Sequence, residues 1–128
     1  MRLLVVDDSA VTRAMIKRTV AAAGLPVVAV DEASDGQAAI RALALRGADL
    51  LITDLNMPGM GGVDLVRAVR ADPVLAAIAV VVVSTDGSPA RRAMLAELGV
   101  AGYLAKPFRP EELREVLAGV LAGLGGAS

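Results

Sequence analysis

Residues 50–62 read LLITDLNMPGMGG, and this stretch decides the fold. The run 50–53 is apolar apart from its last residue, Thr53, and Asp54 ends it. A short apolar run bounded by turn-forming residues is typical of a strand that is buried on both faces. The glycines and the proline that follow predict a turn, and the spacing of apolar residues over 62–70 predicts a helix. The stretch therefore predicts a strand, a turn and a helix, with a carboxylate where the strand ends.

The same unit recurs along the chain. Other short apolar runs predict strands at 3–6, 27–30, 79–83 and 100–105. Helices are predicted from Ser9 to about 24–26, over 37–45, from 88–89 to Gly99, and from Pro110 towards a frayed tail at 123–128. Strands that alternate with helices imply a parallel sheet with helices on both faces. We therefore expect an α/β fold of five βα units in one domain spanning 1–128.

The composition excludes several classes of chemistry. The 128 residues include no His, no Cys and no Trp. The usual zinc sites, a thiol nucleophile, a disulfide framework, a Ser-His-Asp triad and a phosphohistidine on this chain are therefore excluded. A net charge of -1 gives no electrostatic footprint for nucleic acid or an anionic membrane. We expect a cytoplasmic protein without a signal peptide, because the longest apolar run, 74–83, is about half as long as the roughly 20 residues of a membrane helix.

Polar residues follow every predicted strand, and Asp31 and Glu32 after the second carry less weight because that strand is expected to continue beyond them. Asp7 and Asp8 follow the first strand, Asp54 the third, Ser84 the fourth and Lys106 the fifth. The carboxyl ends of parallel strands share one edge of the sheet, where ligands bind. Clustered carboxylates repel unless a cation offsets them, and oxygen ligands of this kind suit Mg²⁺. The residues therefore predict a magnesium site at this edge.

Beside a bound metal, a carboxylate can act as a nucleophile towards a phosphoryl group. Asp54 is the better candidate because it stands alone after its strand, whereas the adjacent pair at 7–8 is better suited to holding the metal. Lys106 and the Ser84 hydroxyl can supply the positioning and charge neutralisation that phosphoryl transfer needs.

Four motifs carry a resemblance to a known family. They are VVDDS at 5–9, DLNMPGMGG at 54–62, VS at 83–84 and GYLAKPF at 102–108. In this order and spacing the sequence resembles a response regulator receiver domain over essentially its whole length. The resemblance implies a flavodoxin-like (CheY-like) doubly wound sheet with strand order 2-1-3-4-5.

The resemblance also implies roles for the polar residues. Asp54 would accept a phosphoryl group from a histidine kinase. Mg²⁺ would be held by Asp8, Asp54 and the backbone carbonyl of Asn56, with Asp7 acting directly or through water.

Four further positions match the family. Ser84 and Lys106 would bind the phosphoryl oxygens. Tyr103 matches the switch aromatic, which turns inward when Ser84 moves towards the phosphate. Lys106-Pro107 matches a peptide bond that is usually cis in the family, and X-Pro bonds adopt cis at low cost.

Each of these residues has a simpler interpretation. The acidic pair at 7–8 could cap the first helix, and 56–62 could be only a Gly/Pro turn. Ser84 could only end its strand. Tyr103 could be a half-buried ring of the core.

The sequence continues into no DNA-binding or enzymatic domain, so we expect a monomeric stand-alone receiver that is not an enzyme. Its output would be a changed surface on the fourth helix, fifth strand and fifth helix. Residues 7–9 and 96–108, together with Arg13 and the Met15-Ile16 pair, resemble chemotaxis (CheY-like) regulators. The expected partners are a chemotaxis histidine kinase and a target such as the flagellar motor switch, with a phosphatase as a further partner.

Three other functions remain open at this point. A single-domain phosphorelay intermediate or phosphate sink would share the same site. An aspartyl-phosphate hydrolase typically has a second acid two residues after its nucleophile, where this chain has Asn56. A flavin-binding electron carrier is disfavoured because Tyr103 and Phe108 are the only rings.

Overall fold

The computed structural model describes residues 1–27, 29–57, 59–85 and 87–126. Strands and helices alternate in the order β1 (Arg2–Val6), α1 (Ala10–Ala22), β2 (Ala29–Ala33), α2 (Gly36–Arg46), β3 (Leu50–Asp54), α3 (Gly62–Ala71), β4 (Ala79–Ser84), α4 (Pro89–Glu97), β5 (Gly102–Ala105) and α5 (Pro110–Gly126). The strands form one sheet in the order β2-β1-β3-β4-β5, and every neighbouring pair is parallel. The predicted fold class and strand order are confirmed.

The alternation of side chains along each strand divides the core into two layers. Leu3 and Val5 of β1 face a layer formed with α1 and α5, which contribute Ile16, Val20, Leu113 and Leu117. Leu4 and Val6 face the opposite layer, formed with α2, α3 and α4, which contribute Leu43, Leu65, Val69 and Leu95. Successive side chains of a strand point to opposite faces, so both faces of the sheet are covered. Burial on both faces explains the near-continuous apolar runs of the central strands.

The second strand lies further along the chain than predicted. We expected it at 27–30, but β2 runs from Ala29 to Ala33, and Val28 is outside the described residues. β2 is an edge strand, and only Ala33 of its five residues is buried. Charged residues are common in edge strands, which have one open side. The expectation that all strands are buried on both faces is therefore wrong for β2. It is also wrong for β5, the other edge strand, in which only Leu104 is buried.

Ion pairs keep the charged residues of β2 in the strand. Asp31 accepts from Arg46 Nη1 at 2.9 Å and from Arg2 Nη2 at 3.4 Å. Glu32 accepts from Lys17 Nζ at 3.0 Å and from Arg13 Nε at 3.1 Å. A sequence pattern based on apolar runs does not detect a strand held by such pairs.

The helix boundaries largely agree with the caps read from the sequence. Ser9 caps α1, since its Oγ accepts from the backbone N–H of Thr12 at 3.2 Å. Pro110 is the first residue of α5, as predicted. The expected frayed tail is wrong for 123–126, because α5 continues to Gly126. Residues 127–128 of that tail, like Pro58 of the 54–62 motif, lie outside the described residues.

The apolar run at 74–83 is divided between a turn and β4. Among the described residues, no helix combines the length and the apolar character needed to cross a bilayer.

Gly62 allows α3 to begin directly against the end of β3. Its N–H donates to the carbonyl oxygen of Leu55 at 3.0 Å. A Cβ at position 62 would lie 2.2 Å from the Asp54 carbonyl oxygen and 2.7 Å from the Leu55 Cα atom. Both contacts are with backbone, so a larger residue would displace the chain at Asp54.

We expect Gly62→Ala to lower the free energy of unfolding by about 1–3 kcal/mol, because overpacking against backbone forces the chain to shift. Gly119→Ala is the matched control, since its Cβ would meet nothing within 4 Å. In the exposed interior of α5 that change removes the helix cost of glycine, which is roughly 0.5–1 kcal/mol. Urea denaturation of both variants measures the difference, and equal stability would contradict the close-approach role.

Candidate functional site

Four of the predicted site residues meet at one edge of the sheet. Asp7 comes directly after β1, and Lys106 comes directly after β5. Asp54 and Ser84 are the last residues of β3 and β4. β1, β3, β4 and β5 are consecutive in the sheet, so residues far apart in the chain become neighbours. The predicted convergence at the carboxyl ends of the strands is observed.

The Lys106 ammonium connects two buried carboxylates. Its Nζ lies 2.9 Å from Asp7 Oδ2 and 3.1 Å from Asp54 Oδ2. Asp7 is 1% exposed and Asp54 6% exposed, so neither carboxylate is solvated well. A compact ammonium has three donors, so it can donate to both oxygens at once.

The two carboxylates govern the charge state of this lysine. Burial by itself would lower the pKa of Lys106. Hydrogen bonds to Asp7 and Asp54, together with their negative charges, outweigh that effect and raise the pKa above the ordinary value of lysine. Lys106 is therefore positively charged at neutral pH.

Three carboxylates form a cluster that could hold a metal ion. One ligand oxygen from each of Asp7, Asp8 and Asp54 can be chosen so that all three lie within 4.8 Å of one another. Asp8 is exposed, whereas the other two are buried, so the cluster opens to solvent on the Asp8 side. An all-oxygen donor set with one open side fits Mg²⁺, which keeps several of its waters.

Asn56 contacts Asp54 of the cluster, and Ser84 contacts Lys106, in each case through a hydrogen bond that a backbone N–H donates. The Asn56 N–H donates to Asp54 Oδ1 at 3.3 Å, which places the start of the β3–α3 loop beside that carboxylate. Ser84 is fully buried, and its carbonyl oxygen accepts from the Lys106 N–H at 2.9 Å. Ser84 thus ends its strand and also fixes the backbone of the lysine.

The acidic pair does not cap α1, because Ser9 has that role. Instead Asp7 Oδ1 accepts from the Ser9 N–H at 2.9 Å, while Oδ2 faces Lys106. Both oxygens of Asp7 are therefore engaged, and its side chain has one fixed orientation.

Tyr103 lies in β5, half-buried, and packs against the core layer formed by α2, α3 and α4. The Arg92 guanidinium carbon lies 4.6 Å from the centre of its ring, a cation–π arrangement. The ring of Tyr103 thus contacts both the core and a side chain of α4. The Lys106-Pro107 peptide bond is cis, as the resemblance implied.

Two residues at this edge were not assigned a role from the residue pattern. Arg13 donates to the Asp7 backbone carbonyl, and Gly62 lies against the Asp54 backbone. Arg13 and Lys17 are four residues apart on α1 and both bind Glu32. Two basic residues at that spacing before an acidic strand are a signal that could have indicated this contact.

Comparisons with known proteins agree with this geometry. The family model described as response regulator receiver domain matches residues 3–118. The chain is 38% identical to the chemotaxis protein CheY of Pseudomonas aeruginosa over 126 residues, covering 98% of this chain and 100% of the relative. It is 43% identical to the chemotaxis protein CheY1 of Helicobacter pylori over 122 residues, covering 94% and 97%.

Among solved structures, the chain is similar to the chemotaxis response regulator CheY4 of Vibrio cholerae. The TM-score is 0.83 at 34% identity, covering 93% of this chain and 97% of that one.

Replacing the bridging lysine should change stability and metal affinity in opposite directions. Lys106→Met leaves two buried carboxylates without their cation, so we expect the free energy of unfolding in EDTA to fall by about 1–3 kcal/mol at pH 7. Mg²⁺ should bind more tightly to this variant, because no ammonium competes for the same oxygens. Urea denaturation and isothermal titration calorimetry measure the two effects.

Lys17→Met is the matched control, since it removes the only other lysine, which pairs with Glu32 at the surface. Its stability should change by no more than about 1 kcal/mol, as for surface ion pairs. Weaker Mg²⁺ binding by Lys106→Met would contradict the competition between the two cations.

Proposed function

The chain belongs to the response regulator receiver domain family, and on that ground we propose that it is a chemotaxis-type two-component regulator with Asp54 as its phosphoacceptor. The observation that carries the proposal is the Lys106 ammonium held between Asp7 and Asp54 beside a third carboxylate. No purely structural requirement explains three acidic groups gathered at one end of the sheet. A site that takes up a divalent cation and a phosphoryl group does explain them.

The proposed reaction moves a phosphoryl group from a phosphohistidine of the kinase to Asp54. An oxygen of the carboxylate attacks phosphorus, and an O–P bond forms as the N–P bond breaks. The leaving imidazole nitrogen keeps the electron pair, and no oxidant or reductant is needed. Magnesium, when bound, neutralises the charge that spreads over the phosphoryl oxygens. The residues that we propose to hold it are Asp7, Asp8, Asp54 and the backbone carbonyl of Asn56.

Lys106 and Ser84 act on the phosphoryl oxygens in this proposal. Lys106 is already held at Asp54 by a hydrogen bond of 3.1 Å, so its charge is in place before the phosphoryl group arrives. Ser84 ends the neighbouring strand and carries a hydroxyl that can donate to a phosphoryl oxygen. Positioned charge of this kind supplies most of the catalysis of phosphoryl transfer.

The output surface in this proposal consists of α4, β5 and α5. Phosphorylation adds charge at the carboxyl ends of the strands and shifts an existing equilibrium between two conformations. Ser84 and Tyr103 lie on adjacent strands, where Ser84 pairs with Ala105 in register. A movement of Ser84 towards the phosphate would therefore act on the end of β5, the strand that carries Tyr103.

Residues 1–128 form one receiver domain in this proposal, and the protein acts as a monomeric signalling protein in the cytoplasm. Its catalysis is limited to its own phosphorylation and dephosphorylation. The proposed partners are a chemotaxis histidine kinase and the flagellar motor switch, with a phosphatase as a further partner. The identity of 38% and 43% with chemotaxis proteins over most of the chain supports this branch of the family.

The contacts of the two rings argue against a flavin-binding electron carrier. Tyr103 is covered by Arg92, and Phe108 packs against the core layer of α1 and α5. Each ring is already engaged on one side, which leaves less of its surface for stacking on a flavin.

We expect acetyl phosphate with Mg²⁺ to label the wild-type protein once, at Asp54, and we expect Asp54→Asn to abolish the label. The amide cannot form the acyl phosphate because it lacks the nucleophilic oxygen anion. Intact-protein mass spectrometry followed by peptide mapping measures the adduct, and EDTA should prevent it.

Asp49→Asn is the matched control, because Asp49 precedes β3 at the opposite edge of the sheet, where its Oδ2 accepts from the Arg2 N–H. This variant should label like the wild type. Undiminished labelling of Asp54→Asn would show that the acceptor is elsewhere.

The chemotaxis role predicts that binding to the motor-switch protein of the same organism depends on the phosphorylated state. We expect beryllofluoride, a mimic of the phosphoryl group, to tighten this binding about tenfold or more, which is within the range of allosteric coupling. Calorimetry with and without the mimic, on wild type and Asp54→Asn, measures the change. Rapid return of the phosphoryl group to a histidine phosphotransfer protein, without state-dependent motor binding, would instead favour a phosphorelay intermediate or phosphate sink.

A further inference from the structure

The Arg13 side chain connects α1 to the acidic loop after β1. It is only 17% exposed and makes two charge-assisted contacts in different directions. Its Nη1 donates to the backbone carbonyl oxygen of Asp7 at 2.6 Å, and its Nε donates to Glu32 Oε1 at 3.1 Å. The donors of the planar guanidinium have a fixed geometry. The bond to Glu32 therefore also sets the direction of the bond to the Asp7 carbonyl.

The carbonyl that Arg13 holds belongs to the peptide unit between Asp7 and Asp8. The orientation of this unit determines where the two carboxylates point relative to each other. The other backbone group of Asp7, its N–H, donates to the Ala33 carbonyl oxygen of β2 at 3.1 Å. The loop is thus held on one side by the sheet and on the other by Arg13. Within the described residues, Arg13 is the only donor to the Asp7 carbonyl oxygen.

Glu32 anchors the arginine from the edge strand. The Lys17 hydrogen bond has the largest effect on the pKa of Glu32, burial opposes it, and the Arg13 hydrogen bond adds to it, so that this pKa is lowered. The carboxylate is therefore ionised at neutral pH. β2 pairs with β1 up to Ala33 and Val6, so the anchor lies in the strand beside the one that carries the acidic loop.

We propose that Arg13 is a positioning residue for the candidate metal site. Anchored on Glu32, it fixes the Asp7–Asp8 peptide so that the carboxylates are correctly spaced for a divalent cation before the cation arrives. The inference rests on the proposed function and adds to it a residue that supports the metal-holding loop without touching the metal.

Electrostatics and positioning predict effects of opposite sign. Arg13 carries a positive charge close to a cation site, so the loss of that charge alone would tighten Mg²⁺ binding. The loss of positioning would weaken it, and loss of an outer partner of metal ligands typically costs about 10–100-fold in affinity. The sign of the change in Mg²⁺ affinity therefore separates the two effects.

The test compares the Mg²⁺ dissociation constants of wild type, Arg13→Gln, Arg13→Lys and Lys17→Gln by calorimetry. We expect Arg13→Gln to bind Mg²⁺ about tenfold more weakly. Arg13→Lys should recover part of the affinity, because an ammonium can reach one of the two partners but not both. Lys17→Gln is the matched control, since it removes an equal charge one helical turn away and the second bond to Glu32. Its affinity should stay equal to wild type or become slightly tighter.

Amide hydrogen exchange without metal gives a second readout. The Ser9 N–H, which donates to Asp7 Oδ1, should exchange about tenfold faster in Arg13→Gln and unchanged in Lys17→Gln. Glu32→Gln keeps Arg13 and removes the anchoring charge, so it should shift both readouts in the same direction even if Arg13→Gln folds poorly.

The outcomes separate this inference from the proposed function. If the wild type binds Mg²⁺ and both Arg13→Gln and Glu32→Gln bind it equally or more tightly, the positioning role is overturned and the proposed function is not. Absence of Mg²⁺ binding by wild type would overturn the proposed function and the metal role of Arg13 with it. Unchanged exchange at Ser9 in both variants would overturn the claim that Arg13 fixes the loop.

Discussion

The ammonium of Lys106 between two buried carboxylates is the interaction on which the rest of the site depends. Asp7 and Asp54 are almost fully buried, and the ammonium of Lys106 beside both carboxylates offsets part of the cost of taking charged groups out of water. The three residues are separated by 47 to 99 positions in the chain, so only the completed sheet brings them together. The cluster of charges is thus a consequence of tertiary structure. It forms only when the strands that carry these residues are paired in the sheet, with their carboxyl ends at one edge.

The fold was predictable where the pattern is governed by burial. The central strands β1, β3 and β4 are apolar on both faces, and their runs lie within one residue of the observed elements. β2 was misplaced because its position depends on ion pairs with helices and neighbouring strands, which a local pattern does not contain. The strand order came from family resemblance, since the apolar pattern alone is compatible with several orders.

The candidate site was predictable as a set of residues but not as a geometry. Strand ends identified Asp7, Asp8, Asp54, Ser84 and Lys106, because each lies at the carboxyl end of a strand. The sequence could not show that Lys106 binds Asp7 as closely as Asp54. Nor could it show the contact of Arg13 with a backbone carbonyl, since a carbonyl is present at every position and has no signature.

The charge balance of the cluster connects its ground state to its proposed switching. Three carboxylates and one ammonium leave two net negative charges, which a divalent cation neutralises. Conversion of Asp54 to an acyl phosphate replaces one negative charge with two and moves that charge outward from the buried carboxylate. In the proposed phosphorylated state, Lys106 would have a more strongly charged partner than Asp7, and the Ser84 hydroxyl would donate to a phosphoryl oxygen. Because Ser84 and Lys106 are joined by a backbone hydrogen bond of 2.9 Å, β4 and β5 must respond together. The proposed output surface around Tyr103 consists of β5 and of α4 and α5, the helices that follow β4 and β5, so the added charge would act next to that surface.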